Sequence, residues 1–452
     1  MLGFAILMTA LRGRWPAAVF YLCFFLATAS GRLGSEDAGN QLSAALQVVT
    51  AGRLSVDRQI SRGWVRAPNG AFYEPHDIGN IVLMLPAAWA GYRIAGRPSD
   101  AVTSPPLAAR ALASLTCAVA SALACISLFA LFAIDATPRP AEASTGQNAL
   151  LLSLAFPLTT PFFAYAKAAW DVLGACCAMC ALLLVSVRIA RSDPDQRARD
   201  GVLVGLFAGV AASFRITLLP ALAVAIALLL RRRLKLTMAA AATALVVLTP
   251  TLTYNAVRTG SFWRPATALP EYLAAGGNNE IGGNVLIGFV GLLASPNRGL
   301  FMFSPLCLLA LTLPFVWRLL PEHERRVLFA LGGGTIVYIA AIATLKNWGA
   351  FGWGPRYLVP VLPIAFFGSI VAGRVLWGRY RAPIVALTAA SVVLSVAPAL
   401  VNWSAAIAAS PPALDQWATW PHQQLTVLRE IARGGAGFPD FLIARMMGGG
   451  HR

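Results

Sequence analysis

Polar residues interrupt this chain rarely. Apolar runs cover roughly residues 15–31, 78–95, 108–134, 148–164, 170–189, 201–214, 216–230, 236–255, 300–318, 327–345, 357–375 and 382–402. A helix needs about 20 apolar residues to cross a bilayer. Most of these runs approach that length without the alternation of a half-buried strand. They predict an all-α polytopic membrane protein. The basic residues between the runs orient it, because cytoplasmic connections carry the excess of Lys and Arg. From residue 135 onward they crowd alternate connections: Arg139; Arg188, Arg191, Arg197 and Arg199; Arg231, Arg232, Arg233 and Lys235; Arg318, Arg325 and Arg326; Arg374, Arg379 and Arg381. The other connections hold only Lys167, Arg215, Lys346, Arg356 and, in one longer loop, Arg258, Arg264 and Arg298. The first set is expected in the cytoplasm. Arg12 and Arg14 place the N-terminal stub there too, so one early run must fail to cross. Run 78–95 is the weakest: it is short, contains Asn80 and Pro86 and ends in Tyr92-Arg93. It reads as a helix lying in the interface. About 11 spans then form a module over 1–402, with 32–107 a large first outer loop and 256–299 a second. Residues 403–452 form a short outer tail with an amphipathic stretch near Pro421–Arg433 and a Gly-rich end.

Composition agrees. The 452 residues are 58% hydrophobic and only 12% charged, where a soluble domain carries about 25% charged residues. The net charge of +17 is no nucleic-acid footprint, because the arginines lie between apolar runs and not along one stripe. They fit orientation and anionic lipid heads instead. Cys23, Cys117, Cys125, Cys176, Cys177, Cys180 and Cys307 all lie inside apolar runs, so Cys177-x-x-Cys180 reads as helix packing and not as a redox or zinc motif. Ala27-Thr28-Ala29 resembles a signal-peptidase site; an uncleaved anchor is expected. No cytoplasmic connection is long enough for a domain. No Walker loop, dinucleotide fingerprint or HExxH occurs, so no nucleotide cofactor is expected.

The unusual residues collect on the outer side. Glu36 and Asp37 follow the first span directly, and His76 and Asp77 lie further along the same loop. Lys167 and Asp171 occupy a tight turn. Arg215 stands at another, followed by S-P-N-R-G-L-F at 295–301 and K-N-W-G-A-F-G-W-G-P-R-Y at 346–357. Two adjacent carboxylates push one pKa upward, which suits a general base, and carboxylates suit a hard divalent cation. Pro355 fits the first turn of a helix, so Arg356 and Tyr357 open a span at its outer end, where an arginine beside a helix N-terminus favours phosphate. Trp348 and Trp353 serve either as an interfacial belt or as faces for a sugar. Acids and arginines together make a kit for activating a hydroxyl and stabilising a departing phosphate.

These stretches resemble the integral-membrane glycosyltransferases of the GT-C fold class, particularly bacterial relatives of protein mannosyltransferases and the lipid A aminoarabinose transferase. Glu36-Asp37 matches that class's acidic motif in a first outer loop with juxtamembrane helices, and Asp171, in Y-A-K-A-A-W-D, matches its second-loop acid. N-G-A-F-Y-E-P-H-D-I-G-N-I-V-L-M-L-P at 69–86, Y-N-A-V-R-T-G-S-F at 254–262, S-P-N-R-G-L-F-M-F-S-P at 295–305 and F-G-W-G-P-R-Y-L-V-P at 351–360 resemble its uncharacterised bacterial members. His76-Asp77 departs from the Ser-Lys-Tyr-like stretch of many relatives. The resemblance implies a multi-pass protein of the bacterial inner membrane with a periplasmic active site. It implies a polyprenyl-phosphate sugar donor and an envelope glycan, lipid or protein acceptor.

The expected roles follow. Arg215, Arg298 and Arg356, with Lys346, hold the donor phosphate. Asp37 deprotonates the acceptor, with inversion implied by the resemblance. Glu36 or Asp171 orients the acceptor or, with Asp37, a divalent cation such as magnesium or manganese. His76, Asp77, Trp348, Trp353 and Tyr357 line the substrate site. The alternatives are a lipid or solute transporter, which would want mid-span charges and inverted repeats; a ligase using lipid pyrophosphate, which would need less of the acid pair; and a non-catalytic assembly protein, which would need none of these clusters.

Overall fold

The computed structural model describes residues 15–61, 63–135, 145–191, 198–231, 233–274, 280–434 and 439–442. Arg12, Arg14, Arg139, Arg197, Arg232 and the Gly-rich end beyond 442 lie outside the described residues. The described residues are mostly helical. The main helices are α1 (Trp15–Thr28), α2 (Glu36–Ala51), α3 (Ile78–Ile94), α4 (Leu107–Asp135), α5 (Thr145–Thr159), α6 (Asp171–Arg191) and α7 (Ala198–Phe214). These are followed by α8 (Leu219–Leu229), α9 (Leu234–Thr259), α10 (Val285–Ala294), α11 (Glu322–Ala343), α12 (Leu362–Leu400) and α13 (His422–Ala432). Among the described residues, one small sheet pairs β1 (Val65–Arg66) antiparallel with β2 (Phe72–Tyr73). Gly70, at φ +84°, lies in the hairpin between them.

Five described segments are long and apolar enough to cross a membrane: Leu107–Ile134, Asp171–Arg191, Leu234–Thr259, Glu322–Ala343 and Arg356–Leu400. The other apolar runs fall into shorter pieces. Pro157 sits inside α5, a 3-10 turn at Ile216–Leu218 precedes α8, and Pro305–Thr312 is wound as 3-10 helix. Sequence runs measure apolar length; they do not show where a proline or a tightened turn divides it.

The last segment holds two of the expected runs. As one rod, the 39 residues of α12 would extend about 58 Å. Yet the Arg356 guanidinium lies 4.6 Å from the Trp170 ring, and the Trp403 ring lies 5.6 Å from that same ring. The chain must therefore reverse between them, and Tyr380, at φ −124° and ψ 34°, is the non-helical residue inside the helix. Arg374, Arg379 and Arg381 flank this reversal.

Helix α3 runs along one side of the bundle. A Cβ on Gly79 would lie 2.7 Å from the carbonyl of Ser213 at the end of α7, and one on Gly91 would lie 2.3 Å from Ala109 at the start of α4. Both ends of α3 thus meet helix termini, the end of α7 and the start of α4.

Candidate functional site

The first outer acids are placed by a helix start. Ser35 caps α2, its hydroxyl accepting from the Ala38 amide at 3.1 Å. Glu36 and Asp37 fill the first turn, where carboxylates favour the helix dipole. Successive helical residues do not face each other. Glu36 points to solvent, while the Asp37 side chain turns inward and is 30% exposed.

Inward, Asp37 meets Arg356. The Nη2 of Arg356 donates to Asp37 Oδ2 at 3.0 Å and to Asp171 Oδ1 at 3.3 Å. The other oxygen of Asp171 accepts from Arg215 Nε at 3.3 Å. The order Asp37–Arg356–Asp171–Arg215 therefore runs across the start of α6, the end of α7 and the 3-10 turn Arg356–Val361. Aromatic faces support both cations: Arg356 lies over Trp170, and Arg215 lies 4.9 Å over Tyr357. The guanidinium Nε of Arg356 is buried without a hydrogen-bond partner. Such a donor is a place for an incoming acceptor oxygen. Gly352 makes room for this arginine, since a Cβ there would lie 2.8 Å from the Arg356 Cβ.

His76 and Asp77 join the same centre from the hairpin side. His76 Nε2 is 3.6 Å from Asp37 Oδ2, and its Nδ1 is hydrogen-bonded to the fully buried Glu74. Asp77 accepts from the Ile216 amide at 2.8 Å. Arg258, buried in α9, donates to the carbonyls of Glu74 at 2.7 Å and His76 at 2.6 Å, which fixes the backbone carrying both residues. The ring of Tyr272, from the short helix Pro270–Ala274, stands edge-on to His76 at 6.0 Å.

The electrostatics differ from the expectation drawn from adjacent acids. Burial pushes the Asp37 carboxyl up, but His76 and then Arg356 outweigh it and hold the group below the usual carboxylate range. The partners of Asp37 are cations, and Glu36 faces away. Burial disfavours a charged His76, yet Asp37 and then Glu74 push it up to about 9. Asp77 goes up to about 6 through burial, against the pull of Arg258 and the Ile216 amide.

The remaining sequence candidates lie apart from this centre. Arg298 donates to the carbonyls of Gly352 at 2.7 Å, Leu414 at 3.1 Å and Ala413 at 3.4 Å; it clamps the tail to the Gly-rich loop. Lys346 pairs with Glu280 in an exposed contact. Trp348 is buried, edge-on to Trp417 at 5.4 Å, and Trp353 is buried edge-on to Phe303 at 5.0 Å. Neither indole offers a free face to the acids; Trp170, Tyr357 and Tyr272 are the rings beside them. Gln423 completes the clamp, donating to Gly352 at 3.0 Å and accepting from Gly354 at 2.9 Å.

Asp37 and Asp171 do not fit a shared cation as arranged, because Arg356 Nη2 occupies the place between them. Among the described residues no group of three or more His, Cys, Asp or Glu side chains is arranged to hold a metal ion.

Sequence reasoning missed Glu74, Arg258 and Tyr272 as site residues. Arg258 had a signal, being a charge near the end of an apolar run. Glu74 had one too, standing two residues before His76 in the stretch at 69–86; Tyr272 had none, being a single residue in a polar loop.

No protein-family model matches the sequence, and no curated protein does. Among solved structures, the chain is similar to ArnT from Cupriavidus metallidurans bound to undecaprenyl phosphate, at 16% identity and TM-score 0.48, over 94% of this chain and 76% of that one. The apo state of the same protein gives 17% identity and TM-score 0.47 over the same shares. The archaeal oligosaccharyltransferase AglB from Archaeoglobus fulgidus, in complex with an inhibitory peptide and a dolichol-phosphate, gives 11% and 0.47, over 87% of this chain and 56% of that one. At such identities and scores the reading of activity rests on the site's own chemistry.

Proposed function

We propose that this chain is a membrane glycosyltransferase of the GT-C kind. It would move a sugar from a polyprenyl-phosphate donor to a hydroxyl of an extracytoplasmic envelope glycan, lipid or protein. The observation that carries this reading is the Asp37–Arg356–Asp171–Arg215 chain, in which two buried arginines share one buried acid while a second acid reaches solvent. Asp171, 7% exposed at its side chain, is the fixed member that sets the spacing of the arginines. Asp37 is the accessible one.

The chemistry follows from that asymmetry. The donor phosphate binds Arg356 and Arg215, which carry five donors each in a planar fork. Phosphate then competes with Asp37 for Arg356, and a carboxylate that loses its cationic partner becomes more basic. Asp37 takes the proton of the acceptor hydroxyl as its oxygen attacks the anomeric carbon. The bond from that carbon to the phosphate oxygen breaks, and polyprenyl phosphate leaves with its charge held by the arginines. Attack opposite the leaving group inverts the anomeric configuration.

The test uses purified protein, radiolabelled polyprenyl-phosphate sugars and a crude envelope acceptor fraction. Wild type should move label into acceptor, and Asp37→Asn should lower the rate by about 10²–10⁴-fold, the usual contribution of a general base. Transfer at the wild-type rate by Asp37→Asn would remove Asp37 from the mechanism. No transfer by wild type from any such donor would remove the reading itself.

A further inference from the structure

Asp37 is held from two sides, and the transfer step above uses only the arginine side. On the other side three groups stand in line. The Glu74 side chain is fully buried, the His76 side chain is 13% exposed, and the Asp37 carboxylate beyond it is 30% exposed. One oxygen of Glu74 is bound to His76 Nδ1, and the other accepts from the His76 backbone amide at 2.9 Å. The residue is thus gripped at ring and backbone together. Arg258 secures the same stretch from beneath through its two carbonyl contacts. A carboxylate bound to one imidazole nitrogen fixes the ring's orientation and holds a proton on that nitrogen, so the other nitrogen carries a proton only in the imidazolium. Here that other nitrogen, Nε2, faces Asp37 at 3.6 Å.

We propose that Glu74 and His76 form a charge clamp for Asp37, in which the imidazolium keeps that carboxylate ionised and in place while donor phosphate engages Arg356. The proposal rests on the reading of Asp37 as the base. It gives His76 a positioning role, exerted through Asp37. Without it, phosphate binding would leave Asp37 with no cation and free to swing away.

The charged groups facing His76 come from every side. Glu74 and Asp77 lie on its own segment, Asp37 comes from α2 and Asp171 from α6, Arg258 comes from α9, and the Tyr272 ring comes from Pro270–Ala274. Arg356 stands behind Asp37. Burial opposes the charged ring, and the carboxylates outweigh it. Removing either Glu74 or Asp37 as an anion must therefore lower the pH at which His76 loses its proton.

The decisive experiment is an NMR titration of the full-length protein carrying ring-labelled histidine. The sequence has four histidines, and His76→Asn assigns the signal. Wild-type His76 should stay protonated at pH 8, and Glu74→Gln and Asp37→Asn should each lower its midpoint by about one unit or more, each unit being tenfold in the proton equilibrium. An ordinary midpoint near about 6.5 in wild type, or no movement in Glu74→Gln, overturns the clamp. A transfer assay adds the functional arm. His76→Asn should lower turnover about tenfold or more with donor KM little changed, the mark of lost transition-state positioning. His76→Lys should restore most of the turnover and keep it at alkaline pH, where the wild-type rate falls as His76 deprotonates. Folded His76→Lys as poor as folded His76→Asn overturns the proposal. A wild type that transfers no sugar defeats the reading of function alone, and the titration still decides the clamp.

Discussion

Arg356 shows how one side chain can define a site. One of its nitrogens holds two carboxylates from different helices, its plane rests on Trp170, and its Nε is left without a partner. Lysine would keep the charge but lose the fork and the planar stack. Arg356→Lys should therefore fold, yet weaken donor binding by about tenfold or more, since one lost charge-assisted hydrogen bond is worth about 1.5–3 kcal/mol. Donor affinity unchanged in Arg356→Lys, measured by lipid-phosphate binding to protein in detergent, would place the phosphate elsewhere. Arg356→Ala is the poorer variant, because it leaves two acids facing each other without a cation and should cost about 3–5 kcal/mol of stability. The acids and arginines of this centre were legible in the sequence because each is a charge at the end of an apolar run, where bland explanations are few. The pairing was not. Glu36 and Asp37 are neighbours in the chain, but a helix sends them to different faces, and Asp37 finds its partners in residues 76 and 356.

Helices α7 and α9 meet by close backbone approach. Gly201, Gly205 and Gly209 recur at spacing four along one face of α7, against α9. A Cβ on Gly205 would lie 2.2 Å from the carbonyl of Ala240, closer than any real contact. Small residues at this spacing let membrane helices pack without the aid of a hydrophobic driving force. Gly205→Leu should force α7 from α9 and lower the detergent melting temperature, with a destabilisation of about 1–3 kcal/mol or more. Gly146 in α5 has nothing within 4 Å of its would-be Cβ, so Gly146→Ala serves as the control and should leave melting unchanged or raise it by the helix preference of about 0.5–1 kcal/mol. Equal melting of Gly205→Leu and wild type would mean that the two helices do not pack as described. At this scale the sequence showed where apolar elements lie, including α3, α13 and both legs of α12. It did not show the breaks. Those depend on prolines and 3-10 turns whose effect is set by the neighbouring helices, as at Arg215, where the chain leaves α7 in extended geometry (φ −149°) and enters a 3-10 turn.

The molecule as a whole is polarised. The acid–arginine centre gathers where α2, α6 and the turn before α8 begin, and the tail is fastened near the same end: Lys167 pairs with Asp440 at 3.3 Å, and Trp403 donates its indole N–H to the Ala164 carbonyl at 3.0 Å. The opposite end carries dense positive charge. Arg374 grips the buried Glu324 with 2.6 and 2.7 Å contacts; Arg325 and Arg326 share the first turns of α11 with Glu324, Arg318 lies in the 3-10 turn before that helix, Arg231 follows α8, and Arg379 and Arg381 flank Tyr380. The proposed transfer requires the paired acids to face outward, towards a lipid-linked sugar presented in the outer leaflet, and the rule that basic connections stay in the cytoplasm predicts that orientation. A cysteine-free background makes this testable with an impermeant maleimide. Ser404→Cys, in the helix Trp403–Ala408, should label on intact spheroplasts. Arg379→Cys, beside the reversal at Tyr380, should label only after the membrane is opened. The reverse pattern would put Asp37, Asp171, Arg215 and Arg356 on the cytoplasmic face. The transfer reading would then fail for its outer acceptor even if the centre still bound phosphate, because the base and the hydroxyl it is meant to activate would stand on opposite sides of the bilayer.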